Sequence, residues 1–176
     1  LSSFARPKLL IRKTGVGIKA VVDESGAATN QVVFHFTRRK DSPSFVLDYM
    51  EGVLCSRVLL AWHLKRHGEV EWRSHPYITQ HVIRGFPVPV PNSPEEWAQA
   101  QAIANAVQDR RMAKRHDSAE DIAVERLVAG LFGLTEADMR WVLGVLDSAQ
   151  QLEPIRTLRL PSASLVAPLC VSNGAP

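Results

Sequence analysis

Cysteine is scarce in this chain: 176 residues hold two, Cys55 and Cys170. Two thiols do not make a disulfide framework, and with no secretory leader in view a reducing, cytoplasmic setting is expected. Long apolar runs are also missing. None reaches the roughly 18 residues that a bilayer-crossing helix requires, so no membrane association is expected. The first residue is Leu1 rather than Met, and we expect a longer parent protein with further motifs upstream.

Catalytic signatures are lacking as well. His63 and His67 stand four residues apart, on one helix face, but Leu64 occupies the place where a zinc-protease helix needs its Glu base. A structural zinc site could recruit His75, His81 or Cys55, yet surface or packing histidines are the simpler reading, and no metal is expected. Thr14, Gly15, Val16 and Gly17 look like half of a dinucleotide loop, but the third glycine and the following helix are absent. There is no Gly-Lys-Ser/Thr phosphate loop, and no Ser or Cys in a nucleophile setting. The acidic pair Glu95 and Glu96 fits a first helical turn better than acid–base chemistry. This chain alone is expected to catalyse nothing and to hold no cofactor.

What is present is enough apolar residue for a core, 45% of the chain with four Trp and six Phe, and only 22% charge, a balance that excludes wholesale disorder. Charge is unevenly placed. Residues 1–91 carry 13 Lys and Arg against 7 Asp and Glu, whereas residues 92–176 carry 8 against 11. A basic first half suits a polyanion, although an excess of this size is also compatible with ordinary solvated surface.

The pattern predicts an α+β fold, with a small curved, mostly antiparallel sheet, packed helices and a C-terminal helical segment. Residues 8–13 read as a strand, and Thr14 to Gly17 as a turn. Residues 18–23 put Ile18, Ala20 and Val22 on one face, and residues 31–36 do the same with Val32, Phe34 and Phe36, giving a hairpin-like pair with a long loop between. Ser42 and Pro43 read as N-cap and first position of a helix from Phe45. A break at Cys55 and Ser56 separates it from a second helix, Arg57 to Arg66, ended by Gly68. Residues 69–91 suggest mixed strand and extended chain, with Pro87, Pro89 and Pro91 barring a central strand. Ser93 with Glu96, Asp117 with Glu120, and Thr135 with Asp138 mark three helix starts. The first of these helices runs to about Lys114, the second stops near Gly133, and the third runs to about Leu146. We expect a sheet-and-helix region over residues 1–91, a helical bracing segment over 92–150, and an extended tail over 151–176.

The remaining chemistry is that of binding. Arg12, Lys13 and Lys19 surround the first turn, Arg38, Arg39 and Lys40 follow the third strand, and Arg73 and His75 flank Trp72. Such side chains can neutralise phosphates, and a loop Arg can pair with a guanine edge. Thr14, Asn30, Gln31 and Gln80 are loop-edge polar groups able to read bases. Trp72 and Tyr77 are better suited to anchoring a loop than to stacking on a base.

The order of these segments resembles a known family. Residues 8–91 resemble the C-terminal target-recognition domain of TaqI-type adenine-specific DNA methyltransferases, including fused restriction–modification enzymes. The likeness is carried by Arg12 to Gly15, by Asp23, by Thr29, Asn30 and Gln31, by Leu47 to Ser56 with Cys55 where the family commonly has Asn, and by the exit Phe86 to Pro89. Downstream, Ile122 to Asp138 is similar to the helix pair that often ends such proteins, with Phe132 in place of a usual Tyr and Ala123 in place of a usual Asp. The resemblance implies a parent that transfers a methyl group from S-adenosylmethionine to an adenine amine. Its catalytic Asn/Asp-Pro-Pro-Tyr/Phe motif and cofactor loop would lie in an upstream domain. It implies a DNA-binding module whose partners are double-stranded DNA and that upstream methyltransferase domain, contacting DNA through Arg12, Lys13, Thr14, Lys19, Asn30, Arg38, Arg39, Lys40, Arg73 and His75. The alternative is a protein-interaction module that docks a methyltransferase or defence-complex subunit through its amphipathic helices, with DNA contact incidental.

Overall fold

A computed structural model describes residues 6–15, 17–67, 77–113 and 119–149. It shows an α+β fold: three antiparallel strands, then six helices. The strands are β1 (Lys8–Arg12), β2 (Ala20–Asp23) and β3 (Val33–Thr37), in the spatial order β2-β1-β3. The expected hairpin between the second and third strands is not formed. Each instead pairs with β1, Leu9 facing Val22 on one side and Phe36 on the other. Two strands antiparallel to the same neighbour are parallel to each other, and a direct turn between them is impossible. Residues 24–32 must therefore travel back along the whole sheet, which accounts for the length of that loop. A contact between Thr29 and His35 places its path on the outer face.

Alternation divides the sheet faces. Leu9 and Ile11, each 1% exposed, point inward with Ala20, Val22, Phe34 and Phe36. Burying each of the two β1 side chains is worth about 1.5–3 kcal/mol. The outer face carries Lys8, Leu10 and Arg12. Lys8 is not available to a partner: it is buried and donates to Asp23 across the β1–β2 pair at 2.5 Å. That lysine, together with hydrogen bonds from Ser25, holds the Asp23 carboxyl well below the usual carboxylate range.

Helices α1 (Val46–Leu54) and α2 (Arg57–His67) follow, with the break at Cys55 and Ser56 where the sequence indicates it. The start of α1 differs from expectation. Phe45 is its N-cap without a side-chain hydrogen bond, and the Val46 N–H donates to the Pro43 carbonyl instead of a serine hydroxyl. Ser56 begins α2: its hydroxyl accepts from the Leu59 N–H at 3.2 Å and donates to the Val53 carbonyl at 2.7 Å. The side of β2 not paired to β1 is closed by α1. Glu51 Oε2 accepts from the Val22 N–H at 2.8 Å, and Cys55 Sγ lies 3.3 Å from Ala20 N and 3.6 Å from Ala20 O. Two side chains thus occupy backbone groups that would otherwise invite another strand. Burial pushes the Cys55 thiol up to about 11, so it sits there as a neutral hydrogen-bonding group.

Residues 80–84 correct the expectation of strand or extended chain. They form a one-turn helix, α3 (Gln80–Arg84), capped by the Thr79 hydroxyl accepting from the Val82 N–H. Gln80 is thus helical rather than a loop-edge group. The Pro-rich exit beyond it is irregular, and the Tyr49 hydroxyl ties it to α1 by donating to the Pro89 carbonyl at 2.7 Å.

The last helices are α4 (Pro94–Ala113), α5 (Ala119–Leu131) and α6 (Glu136–Ala149). The Ser93 hydroxyl accepts from the Glu96 N–H, and the Glu96 carboxylate accepts from Asn92 N–H, one residue earlier than a standard box. Thr135 and Asp138 cap α6 reciprocally. Gly133, at φ +62°, terminates α5 with the Leu134 N–H reaching back to the Ala129 carbonyl. Asp117, expected to open α5, and the tail 151–176 lie outside the described residues.

Helix α1 is the hub, with the sheet on one side and α4 on the other; α4 in turn packs on α5, and α2 on α6. Gly52 sets the α1–α4 spacing, since a Cβ there would lie 2.7 Å from Val107 Cγ2 and 2.8 Å from Ile103 Cγ2. An ionic network crosses this core. Arg111 bridges Asp48 and Glu51, both at 2.8 Å. Arg110 lies 3.7 Å from Glu51 and 3.5 Å from Asp121. Arg57 binds Asp121 at 2.8 Å and Glu125 at 3.0 Å, and both Glu125 oxygens accept from its backbone N–H at 3.1 Å. Burial pushes the Glu125 carboxyl upward, and Arg57 opposes that shift. Among the described residues no helix is long and apolar enough to cross a membrane.

Candidate nucleic-acid interface

The site is built by the ends of the sheet. At one end β1 delivers Arg12 and Lys13 to a tight turn. The Arg12 N–H donates to the Lys19 carbonyl at 3.0 Å, closing the turn, while Lys13 N–H donates to Val32 O at 2.9 Å. Outside β1, Thr14 bridges to Tyr77 and the Ile78 N–H donates to the Lys13 carbonyl at 2.7 Å. The 77–78 segment therefore buttresses the turn. Gly17, at φ +69°, is required twice over: the backbone is left-handed there, and a Cβ would meet Leu60 Cδ1 at 2.8 Å. The turn thus runs close beside Leu60 of α2.

This geometry brings Arg12, Lys13, Thr14, Lys19 and Asn30 to one end. Arg12, Thr14, Lys19 and Asn30 are exposed, and the Arg12 guanidinium lies against Gly15. The Lys13 ammonium stands 4.5 Å from the centroid of the Phe34 ring, a cation–π contact that leaves it half-exposed. Asn30 Oδ1 accepts from the Val32 N–H at 3.1 Å. Its acceptor is thus committed to a turn, and its NH2 is what it can offer a ligand.

Arg38, Arg39 and Lys40 are at the other end. Thr37 pairs with Lys8, so the basic run leaves the sheet beside Pro7 and Arg6. Four strand steps of about 3.3 Å put some 13 Å of β1 between the two clusters. These predicted residues are therefore not one surface but two, separated by a strand length. Arg6, Pro7, Thr37, Arg38, Arg39 and Lys40 line a hollow of about 340 Å³ at this second end. Arg38 Nη1 donates to the Ser42 carbonyl at 2.9 Å, which holds its guanidinium in place. Arg73 and His75, with Trp72, lie outside the described residues.

Cations in this protein differ in use, and Lys65 and Arg66 on α2 lie over the Trp141 and Trp62 rings. Lys8, Arg57, Arg110, Arg111 and Arg140 are all paired with carboxylates. Arg12, Lys13, Lys19, Arg38, Arg39 and Lys40 make no ion pair among the described residues. Sequence reasoning missed Arg6 as a member of the second cluster, because only the β1–β3 register brings residue 6 beside residue 38. The carboxylate–arginine network among the helices was not foreseen. The available signal was Asp48 and Glu51, three residues apart inside an apolar helical run.

His63 and His67 pack against aromatic rings. His63, 4% exposed, stacks on Phe86 with centroids 5.5 Å apart and lies 4.8 Å from the His67 ring. Burial, and secondarily the charge of His67, pushes its pKa down to about 4. No cluster of three potential metal ligands occurs among the described residues. Neither a family model, a curated protein nor a solved structure matches the chain.

Proposed function

We propose that this chain is a duplex-DNA-binding module, the target-recognition part of a larger S-adenosylmethionine-dependent adenine-specific DNA methyltransferase in restriction–modification or a related phage defence. The observation that carries the reading is that Arg12, Lys13, Lys19, Arg38, Arg39 and Lys40 at the sheet ends make no ion pair among the described residues, whereas Arg57, Arg110 and Arg111 in the helical core are neutralised by carboxylates. Unpaired cations on a rigid sheet suit the phosphate contacts that supply most protein–DNA affinity, with a few loop groups left to specify bases. Arg12, with its guanidinium on the turn, and Asn30, with its amide donor, are the groups suited to base edges. Adenine methylation needs the base out of the stack, so the module would also help to hold a distorted duplex. Methyl-transfer chemistry and the cofactor belong to the upstream domain of the parent.

Charge reversal at Arg12, Lys13, Arg38 and Arg39 tests the reading by fluorescence anisotropy with a labelled duplex. The reading expects binding to be lost while the far-UV circular dichroism spectrum is unchanged. Retained binding counts against it. A second reading, docking to a partner subunit, is favoured by two exposed apolar side chains on the C-terminal helices, Met112 at 81% and Trp141 at 58% exposure. Under that reading the charge reversal leaves the function of the intact parent unchanged.

A further inference from the structure

The two basic clusters are not equivalent. The turn cluster carries polar groups of mixed kind, a threonine hydroxyl and an asparagine amide among its cations. The second cluster is a concavity lined by three arginines, one lysine, Thr37 and Pro7, with no acidic residue among the described residues that line it. Two acids in this part of the fold lie outside the lining. Asp23 is held by Lys8 and by Ser25, and the exposed Asp41 is not part of the lining. Arg38 is fixed by the Ser42 carbonyl, whose own N–H closes a turn onto the Arg39 carbonyl at 3.2 Å. Cations crowded into one hollow repel each other, and an anion with several oxygens relieves that repulsion. Guanidinium forks match the oxygens of a tetrahedral phosphate two at a time, which is why arginine dominates such sites. A hollow of about 340 Å³ has room for a phosphate and part of the sugar attached to it, and is small for a drug-sized ligand.

We infer that the hollow formed by Arg6, Thr37, Arg38, Arg39 and Lys40 is a phosphate-binding site that grips without reading sequence, while the Arg12–Lys19 turn carries discrimination. The phosphate is either a backbone phosphodiester of the duplex or the phosphate of a free small molecule. Only the first source rests on the proposed DNA-binding function.

The test uses isotopically labelled full chain 1–176. Amide spectra are followed during titration with inorganic pyrophosphate, with sodium chloride at matched ionic strength, and with short duplexes of differing sequence. Saturable shifts confined to Thr37 through Ser42 and to Arg6, absent with chloride, are expected. The Arg39→Glu/Lys40→Glu double variant should weaken pyrophosphate by at least about tenfold and lower affinity for every duplex by one common factor. The Arg12→Glu/Lys19→Glu variant should leave pyrophosphate binding intact and change the ranking of duplexes. Because these side chains are exposed, retained wild-type spectra elsewhere in each variant verify folding. Chloride reproducing the shifts, or shifts centred on the turn, would overturn the site. Pyrophosphate binding without any duplex binding would keep the site and defeat the DNA-binding proposal alone, whereas duplex binding without pyrophosphate binding would do the reverse.

Discussion

Replacing Glu125 with Ala should be the most destabilising of the single polar substitutions in this fold. The side chain is 1% exposed and serves two partners at once, the Arg57 guanidinium at 3.0 Å and the Arg57 backbone N–H at 3.1 Å from both oxygens. Removing one member of a buried ion pair costs about 3–5 kcal/mol, mostly because the other charge is left uncompensated. Asp121 stays beside Arg57 at 2.8 Å and absorbs part of that cost, so the lower end, about 3 kcal/mol, is the expected loss. For a chain of this size that corresponds to a fall in Tm of about 6–12 °C. Glu125→Gln is the informative companion. It keeps one acceptor for the Arg57 N–H and nearly the same volume, losing the charge and the second acceptor oxygen, and about 1–2 kcal/mol is expected. Urea denaturation followed by circular dichroism gives both values. An unchanged midpoint for the Ala variant, or a Gln variant as damaged as Ala, would refute the argument that this carboxylate anchors α5 to the start of α2.

Other perturbations follow from the same packing. Gly52→Ala gains about 1 kcal/mol of helix propensity but drives a methyl into Val107 and Ile103, β-branched side chains with little freedom to move; net destabilisation of about 1–2 kcal/mol is expected in denaturant midpoints. His63 is depressed from 6.5 to about 4, so the folded state takes up its proton later than the unfolded chain. Its stability contribution is complete above pH 6.5 and is lost as pH falls through 4, and Tm measured across that window should decline less steeply in His63→Phe. Cys55→Asn offers an amide to both the N–H and the carbonyl of Ala20 and should leave Tm nearly unchanged, whereas Cys55→Val removes both contacts and should cost about 1–2 kcal/mol.

The sequence carries its local structure well. Strand alternation at Ala20 and Val22 and at Phe34 and Phe36, the break at Ser56, the boxes at Ser93 and Thr135 and the stop at Gly133 are all set by neighbours within a few residues. Topology is another matter. Nothing local says that residues 24–32 cross the sheet instead of turning back, because the choice depends on which strand wins the central place. Helix α3 has five residues, too few for a periodicity, and only the Thr79 cap betrays it. The ionic network escaped for a similar reason: Glu125 and Arg57 are 68 positions apart, and a charge in an amphipathic helix looks solvated until its partner is placed. The β1–β2 register gives Lys8 to Asp23, 15 positions away, a pairing that no local pattern contains. The candidate residues were chosen by charge and loop position, which the fold respects. It nevertheless sorts them to opposite ends of a strand, a division that no spacing rule within the chain contains.

The central claim is that the unpaired sheet-end cations exist to meet a phosphate backbone. Titration of the full chain with a duplex at a series of salt concentrations tests it most directly. The account predicts that log affinity falls linearly with log salt, by about 0.9 per phosphate neutralised, and that reversing Arg38 and Arg39 flattens the slope by about 2. Binding indifferent to salt, or no binding at low salt, would contradict it.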